Sequence, residues 1–155
     1  MSDSKGPLVA DCAKWLTIVS ELFGARMSIL LAPDGLTQSQ FSILHHVVGL
    51  RSDTGSTVST IAAAVEVEQP AVTKTLAKFQ NLGLVEIMPS PTDRRAKLVR
   101  ATPAAGALIG KIYQDMGPDL FQVFSTLDAD ALQQFSRQLK QLGQWLDSNR
   151  LDGAK

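Results

Sequence analysis

The chain lacks most of what marks an enzyme, a secreted scaffold or a membrane protein. Of its 155 residues only Cys12 is a cysteine, so an intramolecular disulfide is excluded and a reducing, cytoplasmic setting is expected. No apolar run approaches the roughly 20 residues of a membrane span. The opening MSDSKGPLVADC has no apolar stretch leading to a small-residue cleavage site, so no secretion signal is expected. There is no GxSxG, no phosphate-binding glycine loop, no HExxH and no CxxC, which argues against the enzyme classes built on them, and no cofactor is implied. The two histidines, His45 and His46, are neighbours that a helix would turn about 100° apart. They make a poor chelating pair, and no metal site is expected. Internal repeats and low-complexity tracts are also missing.

What is present is an ordinary globular composition, 45% hydrophobic, which excludes bulk disorder. Formal net charge is zero, with 15 basic and 15 acidic residues, so a wholly basic coat is ruled out. The charges are nevertheless uneven. Residues 74–100 hold Lys74, Lys78, Arg94, Arg95, Lys97 and Arg100 against Glu86 and Asp93, a net +4, which leaves −4 for the remainder. A localised anionic partner follows.

Periodicity predicts six helices and a hairpin. Residues 8–31 repeat Leu8, Cys12, Trp15, Leu16, Val19, Leu22 and Phe23 at helical steps until Pro33, Asp34 and Gly35 stop them. In residues 36–50, Thr37 is the expected N-cap and Gln40 completes a capping box, with Phe41, Leu44, Val47 and Val48 as the apolar stripe. A polar loop, 51–56, leads to a short alanine-rich helix, 57–67, capped by Thr57 or Ser59. Residues 68–82 place Pro70 in the first turn, Val72, Leu76, Phe79 and Leu82 inward, and Gly83 as the left-handed stop. Strands are expected at 84–88 and 96–100 around the turn PSPTDRR. A helix starting at Thr102–Pro103 runs to about residue 126, with irregularity expected at Gly110 and Gly117–Pro118. Asp128 caps a last one whose stripe is Leu132, Phe135, Leu139, Leu142, Trp145 and Leu146.

The fold class is therefore mainly α with a small β-hairpin wing, a winged helix-turn-helix at 36–102. Dimerisation helices at 1–35 and 103–155 flank it. In such a motif the second helix enters the major groove of DNA and the first braces it. Gln69, Ala71, Thr73, Lys74, Thr75 and Lys78 fall on the outward face of 68–82. Gln69 can address adenine edges, Ala71 or a threonine methyl a thymine methyl, and the lysines phosphates. The helix N-termini at Thr37 and Gln40 and at Thr57 or Ser59 can meet phosphates through their N–H groups. On the wing, Arg94 and Arg95 suit a narrow minor groove, and Asp93 can orient them by accepting bonds from a guanidinium or from backbone N–H groups. A solvated turn beside unengaged arginines is the plainer reading of the same residues. The terminal helices carry wide apolar stripes, including Trp15, Phe23, Phe135 and Trp145, that a small wing domain cannot cover, so a homodimer is expected.

LTQSQFSILHHV, STIAAAVEVEQPAVTKTLAKFQNLGLVE and PSPTDRRAKLVRATPAAG, in that order, resemble the MarR family of winged-helix regulators. Asp93 and Arg95 match the family's Asp-x-Arg wing, and Thr102 and Gly106 match the start of the helix after it. The resemblance implies a homodimer with intertwined terminal helices, bound to a pseudo-palindromic double-stranded DNA operator, usually as a ligand-responsive repressor. Arg95 would enter the minor groove with Asp93 steadying the wing. Two positions depart from the pattern: Ile87 stands where many members have arginine, and Lys74 replaces a frequent arginine, exchanging a bidentate fork for a point charge. The resemblance also implies a pocket between dimerisation helices and DNA-binding core, for which Trp15, Arg26, His45 and His46 are the candidate lining and a small aromatic anion the candidate ligand. Thiol sensing at Cys12 and a winged helix that binds protein without DNA are the alternative functions; a buried structural role is the other reading of Cys12.

Overall fold

The computed structural model describes residues 5–50, 55–93 and 95–150. Its elements are α1 (Lys5–Leu31), a 3-10 turn (Ala32–Asp34), α2 (Gln38–Gly49), β1 (Ser56–Thr57), α3 (Val58–Val65), α4 (Gln69–Asn81), β2 (Val85–Pro89), β3 (Lys97–Ala101), α5 (Pro103–Val123) and α6 (Ala129–Ser148). Two compact units divide after Gln114.

In the first unit the core gathers where α2, α3 and α4 face the sheet. Ile43, Leu44, Ile61, Val72 and Phe79 have 0% exposure. Ile43 replaces Phe41 and Val48, both half-exposed, in the expected stripe of α2. Leu82 was expected inward, yet it is 58% exposed. It lies past the last turn of α4, where Gly83 at φ 69 reverses the chain before the side chain can reach the core. The caps form as their residue types require. Thr37 Oγ1 accepts from Gln40 N while Gln40 Oε1 accepts from Thr37 N, both at 3.2 Å, a complete capping box. Thr57, not Ser59, caps α3.

The expected two-stranded hairpin is a three-stranded antiparallel sheet in the order β1-β3-β2. The added strand pairs Ser56 with Val99 and Thr57 with Leu98. Gly55 makes this approach feasible: its φ is +78°, and a Cβ there would lie 2.9 Å from the Val99 carbonyl oxygen. Gly55→Ala therefore combines backbone strain with a clash against β3. It should destabilise by about 2 kcal/mol or more, whereas Gly83→Ala, with open space around it, should cost roughly 1 kcal/mol. Urea midpoints of the two variants check the ordering.

Thr102 joins the wing to α5. Its hydroxyl lies 2.7 Å from Gly83 O and 3.1 Å from Leu84 O. α5 continues through Pro118 as one helix, so the irregularity expected there does not interrupt it.

The terminal helices are the exposed part of the molecule. α1 buries only Leu31 among its residues, and Trp15, Leu22 and Ile29 are 53%, 67% and 73% exposed. By length and composition Lys5–Asp34 is apolar enough to cross a membrane. No uninterrupted apolar run reaches that length, because Glu21 and Arg26 break the segment. Cys12 is exposed within its own chain, on a helix that packs almost nothing of itself away. In the second unit, α6 starts at the expected cap, with Asp128 Oδ1 accepting from Ala131 N at 2.8 Å, and has no buried residue. Its whole stripe, from Leu132 to Leu146, is exposed.

Candidate nucleic-acid interface

α4 is positioned by one face and offers the other. Val72, Leu76 and Phe79 lock it inward, and Pro70 in its first turn sacrifices no helical hydrogen bond. Gln69, Ala71, Thr73, Lys74 and Lys78 are all exposed. Thr73 Oγ1 donates to Gln69 O at 2.9 Å. The ammonium of Lys78, though exposed, is engaged within the chain. It lies 3.0 Å from Gly35 O and 3.2 Å from Gln40 Oε1, so α4 is tied to the start of α2.

The wing tip is closed by short-range bonds. Ser90 Oγ accepts from Thr92 N at 3.3 Å and from Asp93 N at 3.2 Å. Ser90 N donates to Ala96 O and Ala96 N to Asp93 O, both at 3.0 Å. Asp93 Oδ1 accepts from Arg95 N at 2.9 Å. Of the two ways in which Asp93 was expected to orient the arginines, the backbone one is present. Asp93 thus fixes the backbone of Arg95, and among the described residues its guanidinium makes no ion pair. Arg94 lies outside the described residues, as does the expected polar loop at 51–54.

Arg95 borders a groove of about 390 Å³ between α4 and the wing, lined also by Thr73, Gln80, Ile87, Met88 and Lys97. Cations from β3 and its tip thus stand beside the outward face of α4. At the wing base, Glu86 and Arg100 are register partners and pair at 3.0 Å. This cross-strand pair lies next to Ile87, where the family pattern has arginine. Both partners are about half exposed, so the pair adds little to stability and serves mainly to keep register. At the α3 N-terminus, Thr57 Oγ1 accepts from Thr60 N at 3.2 Å and meets Ser59 Oγ at 3.0 Å. Ser59 is exposed.

Of the four residues expected to line a ligand pocket, His45 and His46 border one recess within the chain, and Trp15 and Arg26 do not line it. Trp15 is exposed beneath the Lys14 ammonium, 5.8 Å from its ring, and Arg26 is exposed. His45 and His46 border a recess of about 470 Å³ with Ser42, Ala64, Val65 and Glu66. His46 Nε2 is buried with no hydrogen-bond partner among the described residues. His45 belongs to an aromatic cluster, stacking on Phe41 at 5.8 Å and meeting Tyr113 edge-on at 5.7 Å. Phe41 and His45 are four apart, a spacing that could have signalled the pair. Tyr113 comes from α5 and had no local signal.

The family model described as a winged helix DNA-binding domain matches residues 36–105. Among solved structures the chain is similar to a cysteine-to-serine mutant of MarR from E. coli complexed with operator DNA, at 25% identity and TM-score 0.70, covering 91% of this chain and 99% of that one. It is similar also to a MarR-family transcriptional regulator from Rhodococcus sp. RHA1, at 21% identity and TM-score 0.74, covering 87% and 94%. A third likeness is to CouR from Rhodococcus jostii RHA1 bound to p-coumaroyl-CoA, at 21% identity and TM-score 0.70, covering 87% and 93%.

Proposed function

We propose, on the premise that this chain belongs to the MarR family of winged helix-turn-helix DNA-binding transcription regulators, that it acts in the cytoplasm as a homodimeric, ligand-responsive repressor. The carrying observation is the exposed polar face of α4 beside a wing whose tip Asp93 fixes through the Arg95 N–H. In this reading 36–102 is the DNA-binding region, and 1–35 and 103–155 supply the dimer contacts. The apolar, unburied stripes of α1 and α6 support those contacts. A two-fold dimer sets two α4 helices one DNA turn or a multiple apart, which calls for a pseudo-palindromic operator. Gln69, Ala71 and Thr73 face base edges and Lys74 a phosphate. Arg94 and Arg95 enter the minor groove, while Thr37, Gln40 and Ser59 bring helix N-termini to the backbone.

The ligand proposed is a small aromatic anion; the p-coumaroyl group of the CoA thioester bound by CouR is an aromatic precedent. His45, within its cluster with Phe41 and Tyr113, is the group to meet it. Binding there would alter the spacing of the two α4 helices, and a few kcal/mol of coupling would release DNA.

Arg95→Ala tests the wing. Operator affinity should fall by about 1–3 kcal/mol per contact in an anisotropy titration against a duplex recovered from chromosomal fragments. Wild-type affinity should also fall steeply as salt rises. An unchanged affinity for Arg95→Ala removes the wing from the mechanism, and a flat salt response removes DNA binding by these cations.

A further inference from the structure

Resting on the DNA-binding reading above, we infer that Lys78 is a positioning residue that holds α4 in place for the groove, and not one of the phosphate contacts. Sequence alone puts it with Lys74, one turn away on the outward face of α4. Its partners give it a different task. The Nζ group donates to Gly35 O at 3.0 Å and to Gln40 Oε1 at 3.2 Å, 43 and 38 residues away in sequence. Both acceptors are neutral, so two of its three donors are engaged without a carboxylate.

The acceptors are themselves held. Gln40 Oε1 is the half of the α2 capping box that takes the Thr37 N–H. Gly35 closes the 3-10 turn in left-handed geometry, its N–H bonded to Ala32 O. The preceding Asp34, its side chain only 11% exposed, pairs with Lys111 of α5 at 2.9 Å. Gln38 adds a tie to α1, donating to Gly24 O at 2.8 Å and to Ser28 Oγ at 2.7 Å. The segment from Asp34 to Gln40 is thus gripped from α1 and α5, and Lys78 fastens the C-terminal half of α4 to it. The buried stripe fixes how deep α4 sits. The lysine adds a polar restraint at a point away from that stripe, and so limits rotation of α4 about its own axis.

Phosphate contact and positioning differ in their salt dependence. A lysine that neutralises a phosphate contributes about 0.9 to the slope of log affinity against log salt. A lysine bonded to a carbonyl and an amide contributes nothing to that slope. The experiment measures Lys78→Met, Lys78→Arg and Lys74→Met by anisotropy on a duplex that wild-type protein selects from a randomised pool, at five salt concentrations. Circular dichroism confirms that each variant is folded at the assay temperature.

The expected result is a roughly tenfold weaker affinity for Lys78→Met at every salt concentration, with the wild-type slope retained; each subunit loses two hydrogen bonds, and tenfold is the effect if about one bond's worth of that loss per subunit reaches the DNA-bound geometry of a dimer. Lys78→Arg, which keeps a donor within reach, should recover most of the loss. Lys74→Met should flatten the slope by about 0.9 per contact removed. A flattened slope for Lys78→Met, or an affinity equal to wild type, overturns the inference. Amide exchange of free protein provides a reading without DNA: Lys78→Met should speed exchange at Gly35 and in the last turn of α4, and Lys74→Met should not. If wild type selects no duplex, the DNA-binding reading fails, and exchange at Gly35 unaltered by Lys78→Met would then dispose of the latch as well.

Discussion

Replacing Phe135 and Leu139 together by glutamate should leave the protein monomeric and without measurable operator affinity. The two residues are 37% and 44% exposed on a helix none of whose residues is fully buried. Their stripe continues through Leu142, Trp145 and Leu146, and the proposed partner would complete its cover. A charge in an apolar seam loses its hydration without gaining a counter-ion, at a cost of several kcal/mol. A symmetric dimer would take up four such charges, with like facing like. At about 2 kcal/mol each, they raise the dimer dissociation constant by five orders of magnitude or more. Sedimentation velocity reads the mass, and far-UV circular dichroism reads whether α6 stays helical once alone. A variant that sediments as a dimer and binds DNA like wild type would take α6 out of the interface.

The second large effect is expected at Phe79. It is the largest fully buried side chain, at 0% exposure, and its carbonyl accepts from Leu84 N at 2.9 Å where α4 turns into the wing. Phe79→Ala opens a cavity at that corner and should destabilise by about 3–5 kcal/mol, a drop of roughly 10 °C or more in Tm for a chain of this length. Since domains are stable by about 5–15 kcal/mol in total, operator binding near body temperature should suffer with it. Leu82→Ala is the paired control, with a change within about 0.5 kcal/mol because its side chain is already in solvent. Equal losses at both positions would mean that the stripe of α4 extends one turn further than its burial indicates.

That contrast shows where sequence reading works. Val72, Leu76 and Phe79 were legible because helical period and burial coincide. Leu82 continues the period, but one residue later the backbone enters the left-handed region, and periodicity carries no information about a stop that falls between a side chain and its core. Asp128, Thr37 with Gln40, and Gly83 were legible because capping is local chemistry. β1 was not, since two residues cannot display an alternation, and its only advance sign was Gly55. The wing aspartate was legible in role through turn chemistry. The ties of Lys78 and Lys111 and the place of Tyr113 were out of reach because each joins segments far apart in sequence. The exposure of Cys12 and Trp15 teaches a related lesson: a stripe tells which side of a helix avoids water, and not whether the same chain supplies the shelter.

The two-residue strand has a mechanical corollary. β1 is hydrogen-bonded to β3 and runs directly into the cap of α3, so the basic fingertip and the bracing helix share one backbone plate. On the proposed DNA-binding reading, a finger that tilted to follow a widening or narrowing furrow would carry the N-terminal end of α3 with it. An alanine at position 55, by loosening that hinge pin, should make the protein less discriminating between stiff and pliable DNA even where the fold survives.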